Sequence, residues 1–423
     1  MFKVFANAWK IPDLRKKILY TLMLIVVFRL GSSIPVPFVS AEALKSLVAG
    51  GDNLFSMYNI ISGGAFENAT IFAMSITPYI NSSIIMQLLS VAIPALERKV
   101  KEGEEGRKFI AQWTRYLTVV LAMLQATGLY FGLSGAITNR GVFTYFVVTL
   151  TFTAGTAFLM WLGEQINEKG IGNGISLLIF AGIVSRGPAV VNSFIEMNKA
   201  GQLNIFTTIL VVLIVVLVVA AVVLMNDSER RIPVTYAKRV VGRKMYGGQS
   251  THIPIKVAMA GVMPIIFAIS IISFPATICQ FFGITAQSGG FWGGFLKIMS
   301  QTSPVYAVIY FVLIIFFTYF YTEMQYNPIE MANNMKQNGG TIPGIRAGRT
   351  TAEFIKNIIN KITFVGAIFL ALIAVLPMLL TAVFGANVAF GGTSILIVVG
   401  VALETVKQLE TQMVMRHYKG FLE

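Results

Sequence analysis

Residues able to perform catalysis or bind metals are scarce in this chain of 423 residues. It contains two histidines, His252 and His417, and a single cysteine, Cys279. Zinc, haem and iron–sulfur sites need more of these ligands than the chain holds, and one cysteine cannot form a disulfide within it. We therefore predict no catalytic residue, no metal site and no cofactor.

Motifs for nucleotide hydrolysis and intramembrane proteolysis are missing too. The chain has no HExxH motif and no Walker A motif, since it lacks even a Gly-Lys dipeptide. The energy for any transport must then come from a partner or from a gradient. The aspartates, Asp13, Asp52 and Asp227, lie outside the long apolar stretches, which argues against an ion-driven solute transporter. We keep that class, and a scaffold without a pore, as alternatives.

The composition is that of a membrane protein. Hydrophobic residues make up 55% of the chain and charged residues 12%, whereas soluble domains have about 25% charged residues. Stretches of about 20 apolar residues predict membrane-spanning helices. The ten predicted spans are residues 18–39, 70–93, 113–133, 143–162, 175–195, 205–225, 257–282, 304–321, 362–384 and 393–411. The first lacks a small-x-small cleavage site, so we interpret it as a retained span rather than a signal peptide.

Basic residues are distributed unevenly between the two sides that ten spans define. Of the 33 Lys and Arg residues, 27 fall on the side that holds both chain ends and five on the opposite side. Because loops rich in Lys and Arg stay in the cytoplasm, we predict a multi-pass protein with both termini cytoplasmic. The same asymmetry accounts for the net charge of +14, so we predict no DNA partner.

Two of the cytoplasmic loops have about 30 residues each, which is longer than an ordinary connection. Alternating apolar residues around Val234 and Val240 predict a hairpin with basic sides in the first loop. We interpret both loops as docking surfaces. The predicted division of the chain is a cytoplasmic N-terminus at 1–17, an N-terminal half with spans one to five at 18–200, span six at 201–225, a docking loop at 226–256, spans seven and eight at 257–325, a second docking loop at 326–361, spans nine and ten at 362–411, and a cytoplasmic tail at 412–423.

Uncharged polar side chains occur inside spans two and three, at Asn81, Ser82, Ser83, Gln87 and Gln125. They either hydrogen-bond neighbouring helices or line a functional seam, and the sequence leaves both readings open. The segment before span two reads LFSMYNIISGGAF and is too short to cross a membrane. We interpret it as an interfacial or re-entrant helix, and a re-entrant segment implies an aqueous cavity.

Several long strings carry a family resemblance. They read FRLGSSIPVP, SITPYINSSIIMQLL, WLGEQINEKGIGNGISLLIFAGI, RRIPVTYAKRVVGRK, QSTHIPIKVAMAGVMPIIFA, TIPGIRAGRT and FGGTSILIVV. In this order they resemble the bacterial SecY family, the channel subunits of the Sec protein translocase. The resemblance implies an all-α membrane protein in which ten transmembrane helices form two pseudo-symmetric five-helix halves of an hourglass channel, plus a short plug helix. It also implies a protein-conducting function.

The resemblance further implies a ring of apolar side chains at the waist of the channel. The matching positions are Ile76, Ile80, Ile175, Ile179, Ile266 and Ile397. The first four form two pairs, and the members of each pair are four residues apart, so they share one helix face. Isoleucine is stiff because it branches at Cβ, and a narrow apolar constriction excludes ions by dewetting.

A plug and a lateral gate are implied in the same way. The plug covers about 54–68, with Leu54, Phe55, Met57, Tyr58, Ile60, Ile61, Gly63, Gly64 and Phe66 as its residues and the glycine pair as its hinge. The lateral gate takes Ser83, Gln87 and Gln125 from spans two and three, opposite Thr277 in span seven. Through this seam an apolar signal sequence or membrane segment would leave sideways into lipid.

The two long loops match the family's docking sites for the SecA motor ATPase and the ribosome. The implied contacts are Lys238, Arg239, Arg243, Lys244, Arg346 and Arg349. Ala347 stands where the family usually has proline, so we expect a more mobile loop around Arg346. The other implied partners are SecE, SecG and unfolded precursors with signal sequences, and the implied location is the bacterial cytoplasmic membrane.

Overall fold

Each of the ten predicted spans contains a helix in the computed structural model, but the helix of span one ends at Gly31, before the predicted end at 39, and that of span seven begins at Met263, after the predicted start at 257. The structure describes residues 2–49, 59, 62–199, 205–236, 239–241, 244–246, 250–281, 290–300, 303–384 and 392–419. Its helices are α1 (Phe2–Lys10), α2 (Pro12–Gly31), α3 (Ala41–Ala49), α4 (Thr77–Ala92), α5 (Pro94–Lys101), α6 (Glu104–Gly132), α7 (Val142–Lys169), α8 (Gly174–Ser185), α9 (Gly187–Lys199), α10 (Ile205–Asp227), α11 (Met263–Phe281), α12 (Phe291–Ile298), α13 (Pro304–Gln325), α14 (Pro328–Gln337), α15 (Arg349–Phe384) and α16 (Gly392–Lys419).

Not every span meets a strict test of length and hydropathy. Among the described residues, five segments pass it: Val142–Lys169, Gly174–Asn192, Thr208–Asp227, Pro304–Gln337 and Arg349–Leu380. A sixth passes if α4 and α5, which meet at 106°, are counted together. Helix α2 fails because it carries charged residues at both ends, including Asp13 in its first turn and Arg29 in its last. Its polar ends suit the two membrane surfaces better than the apolar interior.

Span two begins later than predicted. Residues 70–76 form turns, and α4 begins at Thr77 with Pro78 in its first turn. Two non-glycine residues just before it, Ala69 and Ser75, have φ of 50° and 54°, which a right-handed helix cannot contain. The predicted helix over 70–76 is therefore wrong, because the backbone turns twice before it enters the span.

Span five is divided in two. Helix α8 ends at Ser185, Arg186 caps it, and α9 begins at Gly187. The backbone N–H of Arg186 donates to the carbonyls of Ile183 and Val184, which closes the last turn of α8. The continuous helix predicted over 175–195 is thus broken near its middle.

The strands that the structure describes lie in the two long loops. They are β1 (Glu229–Tyr236), β2 (Arg239–Val241), β3 (Lys244–Tyr246), β4 (Ser250–Lys256) and β5 (Gly340–Thr341). Strands β1 and β4 pair antiparallel, as do β2 and β3, so the predicted hairpin is confirmed. Strand β5, from the second loop, adds to the free edge of β1 to give the order β4-β1-β5.

A small apolar core lies beneath this sheet. Ile232 and Val234 alternate with exposed residues along β1 and are buried. They pack with Ile342 of the second loop and with Ile355 and Ile359 of α15. The two loops therefore form one structural unit standing on the end of α15, which we call the loop platform (229–236, 250–256 and 340–359).

The largest apolar core lies where helices from the two predicted halves meet. Helix α4 packs against α6 and α11, and α11 packs against α6 and α13. On the other side, α8 packs against α7 and α16, and α16 packs against α10 and α15. The N-terminal and C-terminal halves thus contact each other through at least three helix pairs, α4 with α11, α6 with α11 and α8 with α16.

Candidate functional site

The six isoleucines assigned to the ring belong to or contact the largest apolar cluster among the described residues. Five of them are buried in it, and the sixth, Ile175, is half-buried and packs against the cluster. Ile76 directly precedes α4 and Ile80 lies in its first turn, Ile175 and Ile179 lie in α8, Ile266 lies in α11 and Ile397 lies in α16. Four separate helices therefore contribute these isoleucines to one continuous apolar cluster.

The position of α8 is fixed by tight turns at its start. The side chain of Asn173 accepts from the backbone N–H of Ser176 at 3.3 Å, and that of Asn167 accepts from Gly174 at 2.8 Å. A Cβ on Gly174 would lie 2.0 Å from the carbonyl oxygen of Gly163 in α7. Only glycine permits this approach of two backbones, which seats α8 directly on α7.

Two helix contacts close the cluster between the predicted halves. The α4–α11 contact joins the helices of Ile80 and Ile266, and the α8–α16 contact joins those of Ile179 and Ile397. Burial of these β-branched side chains is favourable because it removes apolar surface from water. A narrow constriction lined by apolar side chains would exclude ions by dewetting.

Of the residues assigned to the plug, three are described. Gly63 and Gly64 have φ of 65° and 88°, a left-handed conformation that glycine adopts without strain. Phe66 is buried in a second apolar cluster together with Leu129 and Phe152. The remaining plug residues, Leu54, Phe55, Met57, Tyr58, Ile60 and Ile61, lie outside the described residues.

The polar residues assigned to the gate lie in helices that meet. Both α4, with Ser83 and Gln87, and α6, with Gln125, pack against α11. Gln87 donates to the Ser83 hydroxyl at 3.3 Å, while the side-chain carbonyl oxygens of Gln87 and Gln125 are buried without a hydrogen-bond partner. Thr277 belongs to α11, but its side chain is outside the described set. The buried polar groups of these helices therefore have fewer hydrogen-bond partners than buried polar groups usually have.

The residues assigned to docking lie on or beside the loop platform. Arg346 is exposed, and its backbone carbonyl accepts from the Thr351 hydroxyl at 2.9 Å. Arg349 is also exposed and pairs with Glu353 at 3.1 Å. Lys238 and Arg243 lie outside the described residues, and only the backbone is described for Arg239 and Lys244, in β2 and β3.

A polar cavity of about 490 Å³ adjoins the ring and was not predicted from the sequence. Asn173 and Ser176, beside the ring residue Ile175, line it from α8, and Met263 lines it from the start of α11. Glu404, Lys407, Gln408, Thr411 and Gln412 of α16 line its other wall. Their spacing of three and four residues places them on one helix face, a signal that the sequence contains.

Metal binding has no support in the described part of the chain. No three His, Cys, Asp or Glu side chains there lie close enough together to hold a metal ion. Cys279 is buried in α11 as a free thiol.

Known proteins resemble this chain along its whole length. The SecY family model matches residues 70–406. Protein translocase subunit SecY of Streptomyces scabiei is 47% identical over 442 residues, which cover 100% of both chains. A solved SecY structure, whose plug domain stabilises the closed state of the translocation channel and maintains a membrane seal, matches with a TM-score of 0.69 and 20% identity over 95% of this chain and 92% of that one.

A second solved structure has the same fold. Sec61 in the canine ribosome-channel complex from the endoplasmic reticulum matches with a TM-score of 0.65 and 20% identity, over 95% of this chain and 93% of that one. Together with the full-length relative, these likenesses fix the family as well as the fold. The chain belongs to the SecY family, and it is the protein-conducting channel subunit of a protein translocase rather than an enzyme.

Proposed function

We propose that the six isoleucines form the seal of this channel, and that an unfolded polypeptide crosses the membrane through their centre. The observation that carries the proposal is that one large apolar cluster, built from helices of both halves, includes or contacts Ile76, Ile80, Ile175, Ile179, Ile266 and Ile397.

The surroundings of the ring suit an unfolded chain. The cavity beside it offers Asn173, Ser176, Gln408 and Gln412, whose side chains can replace water around a peptide backbone. At the ring, stiff isoleucines can fit closely around an extended polypeptide, and when the channel is idle they exclude water and ions.

The α4–α11 contact supports the assignment of a lateral exit. Gln87 and Gln125 each leave a buried oxygen without a partner, so this seam is held less firmly than an apolar interface. An apolar helix of a substrate could replace such contacts at little cost. We assign release of membrane segments into lipid to this seam, with Ser83 and Thr277 as further gate residues.

Two observations support the plug assignment: the resemblance to the SecY family, and the position of the segment directly before span two. A plug domain is reported for the matching SecY structure, where it stabilises the closed state. In this chain we assign the plug to residues 54–68, with Gly63 and Gly64 as its hinge. Displacement of this segment would open the route through the ring.

The loop platform is proposed as the docking surface for the SecA motor and the ribosome. Arg346 and Arg349 are exposed on it and can bind carboxylates or phosphates, and we assign Lys238, Arg239, Arg243 and Lys244 of the first loop to the same docking surface. The canine relative is found in a ribosome-channel complex. We further propose SecE as an obligate partner, SecG as an accessory partner and precursors with signal sequences as substrates.

The location proposed is the cytoplasmic membrane of a bacterium, with both chain termini in the cytoplasm. The relative from Streptomyces scabiei is bacterial, and 27 of the 33 basic residues fall on the side assigned to the cytoplasm.

Protection of a precursor from protease tests the transport function. Proteoliposomes would contain this chain with SecE, and SecA and ATP would be added outside together with a secretory precursor. We expect ATP-dependent protection that vanishes when this chain is left out. If a folded, SecE-bound channel protects no precursor, the transport proposal is wrong, and uptake of small solutes by the same vesicles would then identify the rival transporter class.

A further inference from the structure

We propose that Glu67 and Arg186 are positioning residues that hold the ring closed from its far side. Together with Asn59, Gly63 and Gly182 they form a contact that we call the outer clasp. It lies at the end of α8 opposite the polar cavity, since Asn173 lines that cavity at one end of the helix and Arg186 caps the other. The inference rests on the proposed role of the ring as the seal.

An ion pair and two hydrogen bonds form the polar part of the outer clasp. The Arg186 guanidinium lies 3.4 Å from the Glu67 carboxylate, across 119 residues of sequence. Asn59 donates from its side-chain nitrogen to the same carboxylate at 2.5 Å, and its side-chain oxygen accepts from the Glu67 backbone N–H at 3.1 Å. Asn59 is 1% exposed, so its amide is fixed in place and holds Glu67 toward Arg186.

Two glycines, Gly63 and Gly182, form the close-packed part of the outer clasp. A Cβ built on Gly63 would lie 2.5 Å from both the Cα and the carbonyl oxygen of Gly182. Any larger residue at Gly63 would push the segment away from α8, and its φ of 65° disfavours other residues in addition. The backbone of residues 62–67 therefore lies directly on α8 beside the ion pair.

The outer clasp joins the two segments that carry four of the six ring residues. Helix α8 carries Ile175 and Ile179 ahead of Gly182 and Arg186. The segment that begins with Gly63 and Glu67 continues through Phe72, which packs in the same cluster as the ring, to Ile76 and Ile80. Both segments contribute residues to the cluster that holds the ring, and the clasp joins them directly at a second place, so separation at the clasp would free one side of the ring.

The ion pair suits a contact that must open and close again. The side chains of Arg186 and Glu67 are 29% and 30% exposed, so water reaches both charges when they part. Opening therefore leaves no charge buried without a partner, which would otherwise make the step costly. The clasp can hold the idle channel without locking it.

Resting ion conductance of the channel with SecE in planar bilayers tests this inference. Glu67→Gln and Arg186→Gln should each raise the leak about two- to fivefold, the change expected when a partly exposed ion pair is lost. The exchange Glu67→Arg with Arg186→Glu should restore a tight channel, and Arg186→Lys should stay close to the parent. Lys99→Gln is the control, because Lys99 and Glu102 form an exposed ion pair away from the ring.

The outcomes separate the clasp from the proposed function. If Ile80→Ser leaks while both clasp variants stay as tight as the parent, the ring assignment stands and the clasp is wrong. If the charge exchange leaks as much as the single variants, the ion pair is not the operative contact and the inference fails. If a charge variant does not assemble with SecE, Gly63→Ala tests the same contact by separating the segments, and a tight channel with that variant overturns the proposal.

Discussion

At the scale of single residues, the chemistry of this channel lies in side-chain shape and in exposed charge. The ring residues have no reactive group, and their stiffness and lack of polarity are what a seal requires. Arg346 shows the opposite character, since it is exposed at the edge of the loop platform and presents five donors in a fixed plane. In the proposed function neither kind of residue is a catalyst: the isoleucines exclude ions, and Arg346 binds a partner.

Reversal of the charge at Arg346 should abolish export driven by SecA. The Arg346→Glu variant places a carboxylate where a motor protein would bring its own acidic groups, and like charges repel. We expect normal assembly with SecE, because the side chain is exposed. The measurement is SecA-dependent precursor protection in proteoliposomes.

Lys336→Glu is the matched control for this experiment, since Lys336 is exposed in the same loop and undergoes the same change of charge. Export that continues at the parental rate in Arg346→Glu would remove Arg346 from the docking surface. An equal loss in both variants would show that the overall charge of the loop matters rather than this position.

At the scale of elements, the two long loops are one unit. Strand β5 has only two residues, Gly340 and Thr341, yet it ties the second loop to the edge of β1. Thr341 and Thr235 also exchange hydrogen bonds through their hydroxyls at 3.2–3.3 Å. A docking partner therefore meets a braced surface, and the position of Arg346 depends on residues of the first loop.

Loss of the core beneath the sheet should disable docking without opening the ring. Val234 is 0% exposed, and Val234→Asp would bury a charge without a partner, which costs several kcal/mol. We expect faster proteolysis of both loops and weaker stimulation of SecA ATPase, with resting ion conductance unchanged. Thr251→Asp is the control, because Thr251 pairs with Val234 across the sheet but is exposed.

If the loop platform resists protease equally well in Val234→Asp and Thr251→Asp, the buried core does not hold the two loops together and the prediction is wrong. Loss of the resting seal in Val234→Asp would contradict it differently, by showing that the platform and the ring are not independent units.

Some of these elements could be predicted and others could not, for physical reasons. Long apolar runs such as 205–225 predict helices, because such runs leave few alternatives in a membrane. The turns at Ala69 and Ser75 could not be predicted, since ordinary residues adopt left-handed backbone there only under tertiary constraint. Strand β5 is too short to carry a pattern, and only the fold brings it to β1.

The candidate site, like the fold, could be predicted from the sequence only in part. A single isoleucine in an apolar helix looks like any other, so the six ring positions could be assigned only through family resemblance. The fold then brings all six together, which the spacing within each pair does not require. The outer clasp joins Glu67 to Arg186 across 119 residues, and no local pattern indicates such a contact.

At the scale of the whole molecule, the polar cavity, the ring and the outer clasp follow one another along α8. The cavity begins at Asn173, the ring residues Ile175 and Ile179 come next, and Arg186 ends the helix. Under the proposed function, a polypeptide would pass alongside this helix, first through the cavity, then through the ring and past the outer clasp. The contacts between the halves include α4 with α11, α6 with α11 and α8 with α16, and we expect the constriction to widen when the halves separate.

The most direct test of the ring as the seal is the resting ion conductance of variants in planar bilayers with SecE present. Ile80→Ser and Ile179→Ser each place a hydroxyl in the constriction, and the double variant places two. Leu213→Ser and Leu217→Ser are the matched controls, because these residues are also four apart but are exposed on the outer surface of α10.

We expect the double ring variant to leak about tenfold or more above the parent, which corresponds to a barrier lower by about 1.4 kcal/mol. Both control variants should conduct no more than the parent. A double ring variant that stays as tight as the parent, although it assembles with SecE, would contradict the claim that these isoleucines seal the channel.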